Sequence, residues 1–249
     1  MSNLDDRMWA TMPSRRSFLQ RMGLGVGALG AGLFGGLALP ESVLAVCEPP
    51  GNPGTPKPWR KDCRMILPRR PASTLSAAEI TQLKDAYKAM RALDTSAPND
   101  PRGFLRQANV HCWYCGAGTQ VHFTWQFFAW HRAYLYFHER ILGKLIGDMN
   151  FRLPYWDWDT PSHRKLPGAY SEPNDNSNPL WNGTRSMDPT DEIPEEDVGE
   201  DVMEAALTAD TFTEFGGTAS GSGIPEGTPH GAVHVDVGGD MGFFDSAGK

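Results

Sequence analysis

The stretch that most constrains the fold runs from residue 123 to residue 146 and reads FTWQFFAWHRAYLYFHERILGKLI. It is rich in aromatic and aliphatic residues, it has no proline, and its first glycine is Gly143. A run of this length and apolar character predicts a long, mostly buried helix. This helix is expected to lie at the centre of a mainly α domain with long irregular loops.

A second helix is predicted in the segment STLSAAEITQLKDAYKAMRAL, residues 73 to 93. Ser76 and Glu79 have the spacing of a capping box, and apolar residues follow at intervals of three and four. Residues 161 to about 194 are dominated by Pro, Asn, Asp, Gly and Ser, which indicates a loop. The acidic residues 195 to 208 are expected to form a short helix.

The N-terminal residues predict export. Two adjacent arginines, Arg15 and Arg16, precede a glycine-rich apolar run from residue 22 to residue 39. This pattern is typical of a twin-arginine signal peptide. The run could almost span a bilayer, but its many glycines and a cleavage pattern ending at Ala45 favour removal of the segment over a stable membrane anchor. We therefore expect a periplasmic or secreted protein.

With residues 1–45 assigned to the signal peptide, residues 46–249 are long enough to form one domain with a sizeable core. The whole chain has 23 Lys and Arg against 30 Asp and Glu, a formal net charge of −7. A net negative charge argues against nucleic acid as a partner. The twin-arginine route carries folded proteins, which suits a metalloprotein that is loaded before export.

Three histidines can meet near the start of the long predicted helix. On one continuous helix, His122 and His131 would lie roughly 13 Å apart along the axis and on opposite faces. If the helix instead starts near Thr124 as N-cap, His122 belongs to the preceding loop and can fold back toward His131. His111 lies just upstream of that loop. The three imidazoles can then converge on one ion.

A second pair of histidines occurs in TPHGAVHV, residues 228 to 235. Thr228 suits a helix cap and Pro229 the first helical position, which places His230 and His234 one turn apart on the same face. An i, i+4 pair within about 6 Å has the spacing of metal ligands. The two groups predict two adjacent nitrogen-rich metal sites, and imidazole favours copper, zinc, iron or nickel over magnesium or calcium.

The two remaining histidines are expected to have other roles. His138 follows His131 on the same predicted helix face but about 10 Å further along the axis, so one ion cannot easily bind both. His138 is expected to pack or hydrogen-bond within the helical domain. His163 lies in a polar loop, where an exposed side chain is the expectation.

Several motifs occur in the order found in a known family: HCWYC at 111–115, VHFTWQFFAWHRAYLYFHERIL at 121–142, LPYWDWD at 153–159 and PHGAVHVDVGGDMGFFDSA at 229–247. Together they resemble the tyrosinase copper-binding domain of plant-type polyphenol oxidases (catechol oxidases). The resemblance extends from about Lys57 to the end of the sequence. It implies a four-helix bundle around a type-3 dicopper centre, with three histidines for each copper.

The resemblance also implies which residues bind the two copper ions. The first copper, CuA, would be bound by His111, His122 and His131, and the second, CuB, by His230 and His234. The family takes its third CuB histidine from a later segment resembling DPxFxxHHxxxDR, and this sequence stops at Lys249. We therefore expect a fragment of a longer protein, in which CuB lacks one ligand.

The four cysteines receive roles from the same resemblance. Cys115 would form a thioether with His122, a covalent tether for a ligand that lies on a loop. Cys112 would form a disulfide, most plausibly with Cys63, which leaves Cys47 unassigned. Without the flanking histidines, an ordinary structural disulfide or two buried thiols would be the favoured interpretation of Cys112 and Cys115.

Three further positions match functional positions of the family. Glu226 corresponds to a glutamate that orients a water near the coppers and helps to deprotonate the substrate, although a carboxylate in a glycine-rich loop is the simpler interpretation. Gly231 stands where many members with monophenol hydroxylation activity have asparagine. Phe243 or Phe244 resembles the phenylalanine that gates access to a copper.

The resemblance predicts an enzyme that oxidises o-diphenols to o-quinones with O₂, with weaker monophenol hydroxylation. Two copper ions can take up the two electrons of this oxidation, whereas zinc cannot. The expected partners are a small phenolic substrate and O₂. The alternatives are a dioxygen-binding protein with the same centre, a zinc protein with the three histidines of the first group, and a fragment that is inactive because its second site is incomplete.

Overall fold

A computed structural model describes residues 66–117 and 120–242. Its helices are α1 (Ala77–Ser96), α2 (Phe104–Cys112), α3 (Phe127–Leu145), α4 (Gly168–Ser171), α5 (Glu195–Val198), α6 (Glu200–Leu207), α7 (Phe212–Gly216) and α8 (Ala232–Val237). Within the described ranges β structure is limited to two isolated bridges, Pro71 with Tyr155 and Thr218 with Gly221. The predicted mainly α fold is confirmed. The predicted signal peptide lies outside the described residues.

Helix α1 begins where the capping box predicts. The Ser76 side chain accepts a hydrogen bond from the Glu79 amide, and the Glu79 carboxylate accepts one from the Ser76 amide. This reciprocal pair satisfies backbone donors that the first turn would otherwise leave unbonded. Leu83, Ala86 and Met90 then form the buried stripe of the helix, so the predicted helical spacing is confirmed.

Helix α3 is shorter at its start than the sequence suggests. The N-cap is Gln126, not the predicted Thr124, because the Thr124 hydroxyl bonds the carbonyl of Val121 and the amide of Gln126 within the preceding turn. Phe123, next to His122, has a left-handed backbone with φ of 60°. His122 lies before the helix, as predicted.

The core forms where α1, α2 and α3 pack together. Its buried residues include Leu83 and Met90 from α1, Phe104 from α2 and Leu142 from α3. Helix α3 is less buried than the predicted, mostly buried helix, because Leu135 and Phe137 are 41% and 51% exposed. A smaller apolar cluster joins α8 to the loop before α5, with the buried residues Met187, Ile193, Val198, Val233 and Val237.

The predicted acidic helix is present in two pieces, α5 and α6. Gly199 separates them with an extended backbone, φ −68° and ψ 176°. Among the described residues, no helix is both long and apolar enough to cross a bilayer.

A buried carboxylate fixes α3 to the segments around it. Glu139 Oε2 accepts hydrogen bonds of 2.9 Å from Arg69 Nε and from the Leu153 amide, and Glu139 Oε1 lies 3.7 Å from Arg152 Nε. A buried charge is tolerated when it is paired and hydrogen-bonded in this way. Glu139 therefore holds the segment before α1 and the segment after α3 against α3.

His138 is also buried on α3, and it packs within the fold as predicted. Its Nε2 lies 3.2 Å from the Tyr87 hydroxyl of α1. Burial lowers the pKa of His138 to about 4, so the imidazole is neutral at neutral pH. In the unfolded chain the same imidazole titrates near its ordinary value of about 6.5.

This difference predicts a pH-dependent loss of stability. Between pH 6.5 and 4 the unfolded chain takes up a proton at His138 that the folded chain excludes, so the contribution of His138 is complete above pH 6.5 and declines as the pH falls. The loss should reach roughly 3 kcal/mol in the free energy of unfolding. His138→Gln should fall less steeply than wild type over this range in urea denaturation. Parallel pH profiles of the two proteins would contradict the prediction.

Candidate metal centre

Three of the predicted histidines lie together with one cysteine. The ligand atoms of His111, Cys115, His122 and His131 all lie within 4.8 Å of one another. His111 comes from the last turn of α2, His131 from the second turn of α3, and His122 from the segment between these helices. The predicted convergence of this group is therefore present in the structure.

The second pair lies directly beside the first group. Thr228 is extended and the helical backbone resumes at Pro229, as the sequence predicts. His230 and His234 are one turn apart, with 3.1 Å between their Nε2 atoms. The His230 ring lies 5.7 Å from that of His122 and 6.3 Å from that of His131, measured between centroids. Five imidazoles thus share one region of the protein.

Backbone carbonyls orient three of these imidazoles. The Nδ1 atoms of His131 and His230 lie 2.8 Å and 3.3 Å from the carbonyls of Phe127 and Glu226, and His234 Nδ1 bonds the carbonyl of Met241. A carbonyl oxygen only accepts, so each Nδ1 carries the proton and each Nε2 presents a lone pair. This is the arrangement that orients a histidine as a metal ligand.

The facing Nε2 atoms of His230 and His234 indicate whether a cation fits between them. With both Nδ1 atoms protonated, two lone pairs face each other at 3.1 Å without a hydrogen between them. Such an arrangement is repulsive until a cation lies between the two atoms. In the first group, His111 Nδ1 is buried and makes no hydrogen bond within the described residues. Both groups therefore fit a metal that prefers imidazole.

Burial keeps the imidazoles neutral. Together with the neighbouring histidines, it lowers the pKa of His111 to about 3 and that of His122 to about 2. Burial also lowers the pKa of His131, His230 and His234. A histidine must be deprotonated to bind a metal, and these five already are at neutral pH.

Cys115 is a free, fully buried thiol within the first group. Its Sγ lies 3.8 Å from His131 Nε2. Burial, aided by the charge of Glu226, raises the pKa of Cys115 to about 12, so the sulfur is a thiol and not a thiolate. Cys112 is disulfide-bonded. Its partner lies outside the described residues, so the pairing with Cys63 stays a prediction.

Glu226 connects the two groups of histidines. Its side chain is buried, and its Oε1 accepts a hydrogen bond from the amide of Phe123, the residue after His122. Its own carbonyl accepts the hydrogen bond from His230. Burial raises the pKa of Glu226 to about 7, although the Phe123 amide acts in the opposite direction. A carboxyl group in this position can exchange a proton near neutral pH.

The other predicted positions lie apart from the histidine groups or outside the described residues. The expectation of an exposed His163 is met only in part, since its side chain is 35% exposed and its Nδ1 pairs with Asp157. Its backbone carbonyl accepts a 2.7 Å hydrogen bond from Trp156 Nε1. Phe243 and Phe244 lie outside the described residues, so the gate stays a prediction.

Phe127 was not predicted from the sequence to lie at the site. Its ring packs against His131 at 4.5 Å, His230 at 4.7 Å and His122 at 5.5 Å between centroids. Phe127 therefore fills the space where the two groups of histidines meet. Its position one helical turn before His131 was the available signal, because residues four apart share a helix face.

Comparison with known proteins connects this geometry to a family. Residues 101–199 match a family model described as the common central domain of tyrosinase. The fold matches the crystal structure of Grenache (Vitis vinifera) polyphenol oxidase with a TM-score of 0.64 and 32% identity, over 86% of this chain and 74% of that one. The chain belongs to the tyrosinase family of polyphenol oxidases. A tyrosinase-type domain implies copper, and the histidine-rich group fits it.

Two further relatives support the same assignment. The latent chloroplastic polyphenol oxidase of Prunus armeniaca is 43% identical over 143 residues, which is 53% of this chain and 23% of that protein. Catechol oxidase B of Solanum tuberosum, also chloroplastic, is 46% identical over 109 residues, 41% of this chain and 18% of that protein. The match thus spans about a fifth of the length of these relatives.

Proposed function

We propose that the intact protein oxidises o-diphenols to o-quinones with O₂ by means of two copper ions, with weaker hydroxylation of monophenols. The observation that carries the proposal is the meeting of five neutral imidazoles, one buried and four partly buried, in two adjoining groups. The names of its relatives, polyphenol oxidase and catechol oxidase, support the same chemistry. Small phenols and O₂ are the proposed partners.

The two groups of histidines divide the proposed ligands between the metals. His111, His122 and His131 would hold CuA, and His230 and His234 would supply two ligands to CuB. The other two histidines of the sequence bond elsewhere, His138 to Tyr87 and His163 to Asp157, so the third CuB ligand is expected from a part of the protein beyond these residues. Two copper ions supply a two-electron acceptor, which matches the oxidation of a catechol.

The protein's own groups prepare the site for this reaction. The carbonyls of Phe127, Glu226 and Met241 fix three imidazoles with Nε2 directed away from the backbone, so little reorganisation is needed when a metal binds. Phe127 packs between the rings and excludes water. Glu226, with a pKa of about 7, is the proposed acceptor of the phenol proton.

We further propose that residues 1–45 direct export through the twin-arginine route and that residues 46–249 form the copper-binding domain. The pair Arg15 and Arg16 and the apolar run that follows support this assignment.

Replacement of one histidine of the first group should remove about one copper ion per chain, whereas replacement of a histidine outside the groups should remove none. The full-length protein with His131→Ala should lose about one copper per chain and nearly all quinone formation from 4-methylcatechol, because the first metal loses one of its three neutral ligands. His163→Ala is the matched control, since His163 pairs with Asp157 and not with the histidine groups. Copper is counted by plasma mass spectrometry, and the quinone is followed by its absorbance.

Several results would contradict the proposal. Recovery of zinc in place of copper would favour the tri-histidine zinc protein. Copper with reversible O₂ binding but no quinone would favour a dioxygen-binding protein. Unchanged copper content in His131→Ala would remove this histidine from the site.

The balance between the two phenol activities should favour catechols. Gly231 follows His230 where an asparagine amide would support a water held by Glu226, and glycine has no side chain to offer. We expect the full-length enzyme to turn over dopamine faster than tyramine, measured by oxygen uptake at equal substrate concentration. Equal rates for the two substrates would refute this expectation.

A thioether between Cys115 and His122 is also proposed. The sulfur would replace a hydrogen on a ring carbon of His122, with loss of the S–H and C–H hydrogens as two protons and transfer of two electrons to O₂, the oxidant of the proposed reaction. The buried Cys115 sulfur lies within 4.8 Å of the ligand atoms of the three histidines, and a covalent tether would fix His122, which no helix holds. The copper-loaded protein should yield a cross-linked peptide pair lighter by two hydrogen atoms than its separate peptides. Cys115→Ser should show no cross-link. Full alkylation of Cys115 in unfolded, copper-loaded wild type would argue against the bond.

A further inference from the structure

A cavity lies among α1, α2, α3 and the loop that follows α4, and none of the five clustered histidines lines it. Its volume is about 200 Å³. Four aromatic rings line it, those of Tyr87, Phe104, Tyr134 and Tyr170, together with the side chains of Arg91 and Arg185. The proposed oxidation has no use for these two arginines.

The two guanidinium groups keep most of their hydrogen-bonding capacity. Arg91 Nε donates to the Pro179 carbonyl at 3.0 Å, and Arg185 donates to the carbonyls of Tyr170 and Leu180 at 3.1 Å and 3.0 Å. A guanidinium has five N–H donors, so several remain on each side chain. Burial lowers the pKa of both groups, and the charge of Arg91 lowers that of Arg185 further.

Few negative charges offset this pair. Within the described residues, neither guanidinium has a carboxylate oxygen within 4.0 Å. Asp94 acts on Arg91 from a longer distance, and its Oδ1 accepts a hydrogen bond from the Leu105 amide. Asp240 accepts a hydrogen bond from Asn182, another residue of the cavity wall. Two partly buried positive charges in one cavity favour an anion between them.

The walls favour an anion that carries an aromatic ring. The Arg91 guanidinium carbon lies 3.9 Å from the centroid of the Phe104 ring, a stacked arrangement that leaves the edge of the guanidinium open to a carboxylate. The Tyr170 hydroxyl makes no hydrogen bond with any other described residue. An apolar cavity of about 150 Å³ holds a benzene ring, so about 200 Å³ holds one ring with a carboxylate.

We propose that this cavity binds a single-ring aromatic carboxylate, with the carboxylate between Arg91 and Arg185 and the ring against Phe104 and the tyrosines. The ring of Tyr134 separates this ligand from the metal centre, since it lies 6.0 Å from the His111 ring and stacks on Trp130 at 5.1 Å between centroids. The site is independent of the proposed oxidation and would exist in a protein without that activity.

Benzoate is the probe, titrated by calorimetry into the full-length protein as purified and again after removal of copper. We expect one saturable site in the copper-free protein and a site of the same affinity in the copper-loaded protein, where the metal centre can bind benzoate as well. Benzamide, which has the ring without the charge, should bind at least about tenfold more weakly, because it lacks the charge-assisted hydrogen bonds to the two guanidinium groups. Sulfate, which has the charge without the ring, should also bind at least about tenfold more weakly, because it lacks the apolar contact with Phe104 and the tyrosines.

Substitutions locate the site. Arg91→Gln and Arg185→Gln should each weaken benzoate binding by about tenfold or more. Arg106→Gln is the matched control, because Arg106 bonds a carbonyl and an amide oxygen on the protein surface. This variant should bind benzoate with the affinity of wild type. Ala108→Leu keeps both arginines but fills the cavity, so it should abolish benzoate binding. This variant tests the site even if the arginine variants fold poorly.

The outcomes divide clearly. Benzoate binding that disappears when copper is removed belongs to the metal centre and overturns the proposal. Wild-type affinity in Ala108→Leu or in Arg91→Gln overturns it as well. Sulfate that binds as tightly as benzoate would mean an inorganic anion site, which overturns the assignment of an aromatic ligand.

Discussion

The burial of several neutral imidazoles in one space is the constraint on which the rest of the structure depends. Polar nitrogen atoms are buried at a cost unless they find a partner. In this protein the backbone satisfies one nitrogen on each of three rings, through the carbonyls of Phe127, Glu226 and Met241. The opposite nitrogens are left facing each other, as His230 and His234 do at 3.1 Å. The fold thus places two nitrogen lone pairs where a bound metal ion would satisfy both.

Local patterns predicted the elements that depend on neighbouring residues. The capping box of Ser76 and Glu79 and the i, i+4 pair His230 and His234 involve residues within one turn, so the sequence alone specifies them. The segment that leads into α3 was predicted less well. The Thr124 hydroxyl bonds within the preceding turn instead of capping the helix. The amide of Phe123 donates to Glu226, 103 residues away, and no local pattern reports such a contact.

The same distinction applies to the sites. The meeting of His111, His122 and His131 was predicted because all three lie within one short stretch and a loop permits the fold-back. No sequence pattern indicated that Arg91 and Arg185 line the same cavity, because the two residues belong to distant segments that only tertiary packing brings together. The partial burial of His163 was not predicted for a different reason, since its pairing with Asp157, six residues away, forms only when the loop between them folds.

The position of Glu226 has a consequence for how the centre is assembled. One residue offers its carboxylate to the amide beside His122 and its carbonyl to His230, so it acts as a strut between polypeptide segments that are remote in sequence. A displacement of either segment is transmitted to the other through this single residue. The two halves of the centre are therefore joined through the protein itself, and the position of each depends on the other.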